Sequence, residues 1–275
     1  MNEKYQALLN DLKHRGKLAV AFSAGVDSTF LLHAAVEALG KENVLAITGR
    51  LVSFPEREAK EAETYCRERG IRHLTIELDQ FAIDGFDKNP VDRCYRCKKA
   101  LFTAFIEAAR DADFPALAEG TNADDPSGYR PGLKALAELK VLSPLKDAGL
   151  TKDEIRALSR ETGLSTANKP SLPCLATRFP YGEKITPEKI RMVDEGERYL
   201  LSLGFRQVRV RCHGDLARIE VERDEIPRLS ERRVEVTKRL RELGFLYVTI
   251  DLAGFRSGSM DEKIADGGRR TADSH

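Results

Sequence analysis

The 275-residue chain carries almost no net charge, with Lys+Arg 45 against Asp+Glu 44. That balance excludes bulk electrostatic attraction to nucleic acid or an anionic membrane and leaves room only for a local basic face. No apolar run reaches the ~18 residues that a membrane span needs. The start, Met1-Asn2-Glu3-Lys4-Tyr5, lacks the basic-then-apolar layout of a secretory leader. Cytoplasm is therefore the expected compartment, with the five cysteines serving as reduced thiols, ligands or catalysts rather than staples. No internal repeat is found. What is present, 41% hydrophobic and 32% charged residues, is enough to build a core and excludes a disordered chain. At roughly 150 residues per domain the length suits one large domain or two modest ones.

The first half alternates apolar runs with helical periods. Strands are expected at residues 17–22 (KLAVAF), 43–48, 72–78 and 116–119, and helices at 28–39, 55–69, 94–109 and 151–162. This β/α alternation predicts an α/β fold, a parallel sheet with helices on both faces. The character changes near residue 168. Three prolines and a glycine between 168 and 182 read as a linker. Beyond it, a helix at 186–203 opens on Thr-Pro, and strands at 208–212 and 216–221 join through His213-Gly214-Asp215. A charged amphipathic helix at 225–243 and a last strand at 246–252 complete a small α+β domain. The expected division is 1–168, a linker 169–183 carrying Cys174, 184–259, and a polar tail 260–275.

The sharpest local feature is Phe22-Ser23-Ala24-Gly25-Val26-Asp27-Ser28-Thr29, between the first strand and the first helix. A turn of small residues there lets several backbone N–H groups converge beside the positive end of a helix dipole. Ser23 and Ser28 add hydroxyls, and Asp27 can hold Mg2+ or cap the turn. The stretch is neither a G-x-x-x-x-G-K-[ST] loop nor a G-x-G-x-x-G turn. A plain βα turn with Ser and Asp as caps is the alternative.

Ser-x-Gly-x-Asp-Ser after the first strand resembles the PP-loop of the ATP pyrophosphatases, which include GMP synthetase, NAD synthetase and tRNA thiolases. The usual family loop has glycine where this chain has Ala24, and alanine tolerates positive φ poorly. Glu119-Gly120-Thr121-Asn122-Ala123-Asp124-Asp125 and Pro144-Leu145 ahead of Lys152–Arg156 fit the same family, in order. The resemblance implies cleavage of ATP between α and β phosphates, with Ser23, Ala24, Gly25, Val26, Asp27, Ser28, Gly120, Asn122 and Asp125 binding ATP or pyrophosphate. Within that superfamily, the runs from Tyr129 to Ala135, Arg178 to Gly182, Val208 to Arg211 and Gly254 to Gly258 resemble the LarE-like sulfur transferases. These help make the nickel-pincer cofactor of lactate racemase. The resemblance implies conversion of carboxylates on a pyridinium mononucleotide into thiocarboxylates, in a homo-oligomer and alongside other proteins of that pathway.

Cys174 stands where the LarE-like enzymes carry the sulfur-donating cysteine, and Arg178 nearby is expected to favour its thiolate. In the sacrificial version that cysteine gives up its sulfur once and ends as dehydroalanine. Cys94-Tyr95-Arg96-Cys97 departs from that version. One C-x-x-C pair suits a redox dithiol, half a zinc site or part of an iron–sulfur ligand set. By resemblance to three-cysteine relatives, Cys94, Cys97 and Cys174 would hold a 4Fe–4S cluster with one iron open to sulfide. Cys66 and Cys212 read as packing residues.

Arg209 and Arg211 share one side of a strand, and the resemblance gives them a substrate phosphate. It gives Glu197 and Glu220 a metal-binding or substrate-facing role, where composition alone makes them surface carboxylates. Arg256 is either substrate-facing or a cap. A tRNA thiolase, an amide-forming synthetase and a nucleotide-binding regulator remain the alternatives; balanced charge and a single C-x-x-C pair weigh against the first.

Overall fold

The structure is a computed structural model that describes residues 3–125, 131–170, 172–256 and 259–260. The chain divides into two compact units, one running to Phe86 and again from Asp92 to Leu172, the other made of Asp87–Val91 and the chain from Pro173 onward.

In the first unit four strands form one parallel sheet: β1 (Leu18–Ala21), β2 (Val44–Arg50), β3 (Arg72–Glu77) and β4 (Leu117–Ala118), in the order β3-β2-β1-β4. Alternate side chains of the central strands leave for opposite faces, which is the period-two rule of a strand. Leu18, Val20, Val44 and Ala46 join one core, with Leu8 and Leu12 of the helix Glu3–Lys13 and Phe30 of the helix Val26–Leu39. Ala19, Leu45 and Ile47 enter the other, against Phe102 and Phe105 of the helix Arg93–Asp111. A sheet buried on both faces explains why β1 and β2 read as unbroken apolar runs. The helical period of residues 3–13 lies in Tyr5, Leu8, Leu9 and Leu12, all buried. Beyond β4, Ala118 bridges in parallel to Leu142, so the sheet continues past the point where strand residues end.

In the second unit β5 (Val208–His213) and β6 (Leu216–Val221) form an antiparallel hairpin, and β7 (Tyr247–Ile250) pairs with β6 in parallel. The helix Pro187–Ser202 opens with Pro187 at its first turn and Thr186 as cap, whose hydroxyl accepts from the Lys189 N–H at 3.3 Å. The single helix expected at 225–243 is two helices, Ile226–Glu231 and Arg233–Glu242. Their core contacts are Leu229, then Val236 and Leu240, while Val234 between them is 74% exposed. Nothing apolar therefore holds the middle turn to the core, and the chain breaks step at Arg232. Among the described residues no helix is long and apolar enough to cross a membrane.

Candidate functional site

The turn after β1 is built around an unusual backbone. Ala24 has φ +54, the left-handed region that glycine favours, and is 3% exposed. The family-like loop shape is thus kept with alanine, at a strain of about 1–2 kcal/mol. Gly25 precedes the helix Val26–Leu39 in extended conformation and gives no side-chain cap, so the first N–H groups of that helix have no capping side chain. The Ser28 hydroxyl instead donates to the Gly25 carbonyl at 3.2 Å, accepts from the Ser23 N–H at 3.2 Å and lies 3.1 Å from the Ser23 hydroxyl. This folds the loop back on itself and leaves the helix end for another anionic partner.

Two segments close around that end. Gly120 follows β4 so tightly that an added Cβ would lie 3.0 Å from the Ser28 nitrogen and 3.2 Å from Asp27 carbon atoms, so any side chain there would press on the start of that helix. Asn122 donates from Nδ2 to Asp27 Oδ1 at 3.3 Å. Its backbone N–H donates to Asp125 Oδ2 at 3.1 Å, which fixes the turn. The structure thus brings Ser23, Ala24, Gly25, Val26, Asp27, Ser28, Gly120, Asn122 and Asp125 into one neighbourhood of the first unit.

Two lysines belong to this neighbourhood that the motif alone did not single out as site residues. Lys152 Nζ reaches Asp27 Oδ2 at 2.5 Å, from the first position of a helix fixed by a Thr151–Glu154 capping box. Lys169 Nζ donates to the Ala24 carbonyl at 3.1 Å and to Glu58 at 2.7 Å. Burial pushes the Glu58 carboxyl upward, with Lys169 opposing that shift. The Thr-Lys-x-Glu spacing was a legible sign for Lys152; nothing local marks Lys169.

Cys94 and Cys97 lie one turn apart at the start of the helix Arg93–Asp111, each part-buried. Arg93 Nη2 donates toward Cys94 Sγ at 3.5 Å, and Gln80 Nε2 toward Cys97 Sγ at 3.2 Å. Cys174, also part-buried, belongs to the second unit. Among the described residues no three His, Cys, Asp or Glu side chains gather into a metal-holding group. Cys66 and Cys212 are fully buried, and burial pushes their thiols up to about 12 and about 11.

Arg178, expected beside Cys174, is an interior group of the second unit. Arg178 is 1% exposed and its guanidinium forks onto Glu197, with Nε to Oε1 at 2.6 Å and Nη2 to Oε2 at 3.1 Å. It also donates to the Thr177 hydroxyl at 2.7 Å and, distantly, to the Cys174 carbonyl at 3.5 Å. Its charge is therefore matched by a buried carboxylate, while its Nη1 holds the Thr177 hydroxyl and the loop carbonyls of Pro173 and Cys174.

Glu197 and Glu220 are likewise interior groups, not surface carboxylates, at 2% and 0% exposure. Glu220 accepts from Arg211 at 2.8 Å, from Arg218 at 3.1 Å and from the Ser259 hydroxyl at 2.8 Å. Arg211 also donates to the Thr177 carbonyl at 3.1 Å, but its buried Nε has no hydrogen-bond partner among the described residues. Arg209 donates to its neighbour's carbonyl at 2.6 Å and lies 5.1 Å from the Phe255 ring centre. Burial, then repulsion from Arg178, brings its guanidinium down to about 10. Three buried guanidinium groups, those of Arg178, Arg209 and Arg211, thus stand beside two buried carboxylates, Glu197 and Glu220, an excess of cations that suits an anion. Arg256 pairs with Asp251 at 3.5 Å, while Ser257 and Gly258 of that run, with Tyr129 and Arg130 of the earlier one and the tail from 261, lie outside the described residues.

No protein-family model matches the chain. It is 38% identical over 95% of its length, and 95% of the other, to a pyridinium-3,5-bisthiocarboxylic acid mononucleotide synthase of Lactiplantibacillus plantarum. An uncharacterised protein of Synechocystis is 38% identical over 89% of this chain and 92% of that one. More distantly, a glutamine-hydrolysing GMP synthase component of Thermoplasma acidophilum is 28% identical over 68% of this chain and 64% of that one. With a PP-loop turn after β1, a parallel α/β sheet beneath it and this near-full-length likeness, the chain belongs to the LarE family of PP-loop enzymes.

Proposed function

We propose that the protein is an ATP-dependent sulfur insertase that adenylates the carboxylates of a pyridinium biscarboxylic acid mononucleotide and converts them to thiocarboxylates in nickel-pincer cofactor synthesis. The observation that carries this reading is the helix N-terminus at Val26 without a side-chain cap, with Asp27 held between Asn122 and Lys152, in a chain so close to a thiocarboxylate-forming synthase. A carboxylate resists nucleophiles because of its own charge; transfer of AMP removes that charge and installs a good leaving group. The N–H groups of the loop would take the charge that develops on pyrophosphate. Asp27 would hold Mg2+, its carboxylate being placed at the loop by side chains rather than by a backbone cap. Arg209 and Arg211 would bind the phosphate of the mononucleotide; the unpartnered Arg211 Nε fits a further acceptor. Glu197 and Glu220 would set the guanidinium groups in place.

Sulfur would be delivered by Cys174, alone or with Cys94 and Cys97 as ligands of a 4Fe–4S cluster. What supports the cluster is the Cys94–Cys97 pair, two part-buried thiols a helical turn apart that each meet an N–H donor, with Cys174 as the third thiol of the reading. Such a cluster supplies an open iron on which sulfide can bind. The reading also holds that the protein is a homo-oligomer in the cytoplasm, working with other proteins of the nickel-pincer pathway. The test is pyrophosphate release from ATP with and without the pyridinium dicarboxylate. Release only with that substrate is expected; Cys174→Ala should retain it and yield no thiocarboxylate. Iron and sulfide analysis of anaerobic protein separates the two sulfur routes: about four irons per chain for the cluster, none for sacrifice of Cys174. Pyrophosphate release that ignores the pyridinium substrate would sink the proposal.

A further inference from the structure

Gln80 is a buried polar side chain that nothing in the adenylation chemistry uses. It opens the short turn Gln80–Ala82, is 1% exposed, and makes two bonds of opposite sense. Its Oε1 accepts from the Ser53 N–H at 2.9 Å, and its Nε2 donates to Cys97 Sγ at 3.2 Å. The first bond settles the second. Because a backbone N–H can only donate, the amide must present oxygen to Ser53 and therefore hydrogen to the sulfur. Arg93, 2% exposed, aims Nη2 at the sulfur of the other cysteine, Cys94 Sγ, at 3.5 Å. Cys94 and Cys97 are three apart on one helix, so their sulfurs share a face, and each meets a donor that is itself nine-tenths or more buried.

We infer that Gln80 is a positioning residue for the Cys94–Cys97 pair: its amide, pinned by Ser53, orients the Cys97 sulfur as a ligand and stabilises the negative charge that sulfur carries toward a soft metal. Arg93 does the same for Cys94. The inference rests on the pair serving as metal ligands, as proposed above. A purely packing role for a residue of this size would be met by an apolar side chain, without burying an amide between a backbone donor and a thiol. N–H donors to ligand sulfurs raise the reduction potential of an iron–sulfur centre, and partners that orient ligands typically carry a 10–100-fold share of metal affinity.

The test uses the full chain, with Cd(II) alone as probe of the iron-free protein through its thiolate absorption, and the reduction potential after anaerobic iron and sulfide loading. Gln80→Met, of similar length without donor or acceptor, is expected to weaken Cd(II) binding ~10-fold and to lower the potential. Where Gln80→Met does not fold by circular dichroism, Gln80→Glu carries the test. It keeps the bond from Ser53, offers the sulfur no hydrogen, and should lower the potential likewise. Iron loading as in wild type with potential and Cd(II) affinity unchanged overturns the inference and leaves the cluster reading standing. Wild-type protein that takes up no iron removes the cluster reading, and the Cd(II) titration then decides Gln80 alone: a ~10-fold loss supports it, no change overturns it.

Discussion

The two units prepare for negative charge in opposite ways. The first relies on backbone: a left-handed Ala24, an extended Gly25 and a helix end with no capping side chain, stiffened by serine hydroxyls. The second relies on side chains, with Arg178, Arg209 and Arg211 buried against Glu197 and Glu220. Backbone donors need no ionisable group and lose little on desolvation, so they can sit in a small turn beside one carboxylate. Guanidinium groups keep their charge when buried only if carboxylates accompany them, so the second arrangement demands a network. The lesson is that the loop can change chemistry at a small cost in stability, whereas the network couples the two tightly.

That contrast can be broken by substitution. Asp27→Ala should abolish pyrophosphate release altogether while leaving the urea midpoint near wild type; retained release would remove the loop from the active site. Glu220→Leu strips Arg211 and Arg218 of their shared carboxylate in a fully buried position. A loss of about 3–5 kcal/mol in urea unfolding is expected, and a loss below the scatter of the measurement would show that the network relaxes into water.

The two buried thiols compare the units directly, since Cys66 lies in the first and Cys212 in the second. Folding raises both above the ordinary 9.0, to about 12 and about 11. The unfolded chain therefore loses these protons first, so the stability they contribute is full below pH 9 and falls as pH rises toward 11 to 12. Alkylation at neutral pH should spare both while reaching Cys94, Cys97 and Cys174; labelling of Cys212 well before Cys66 would show that the second unit opens on its own. The smallest effect expected is that of Ala24→Gly. Relief of the positive φ outweighs the added freedom of the unfolded chain by up to about 1 kcal/mol. A rise of a few degrees in Tm checks it, and a fall would mean that packing of the buried methyl dominates.

Much of this arrangement was legible from the residues. Unbroken apolar runs announced β1 and β2 because a sheet covered on both faces needs no polar side, and Ser-x-Gly-x-Asp-Ser between strand and helix announced the loop. Spacing of Arg209 and Arg211 also placed them on one side of a strand. The split of residues 225–243 into two helices was not legible, since charged residues satisfy a helical period whether or not a core holds them.

By itself, then, the sequence determined the β/α alternation of the sheet, the loop and the residue types at its rim, because these depend on neighbours within a few positions. Tertiary structure alone decided which distant groups meet. Lys169 reaches Ala24 across 145 positions and Lys152 reaches Asp27 across 125, while Arg178 turns its charge to Glu197 and Gln80 its hydrogen to Cys97. A side chain taken out of water must find a partner, and the partner is whichever group packing brings near, a fact that no local pattern encodes.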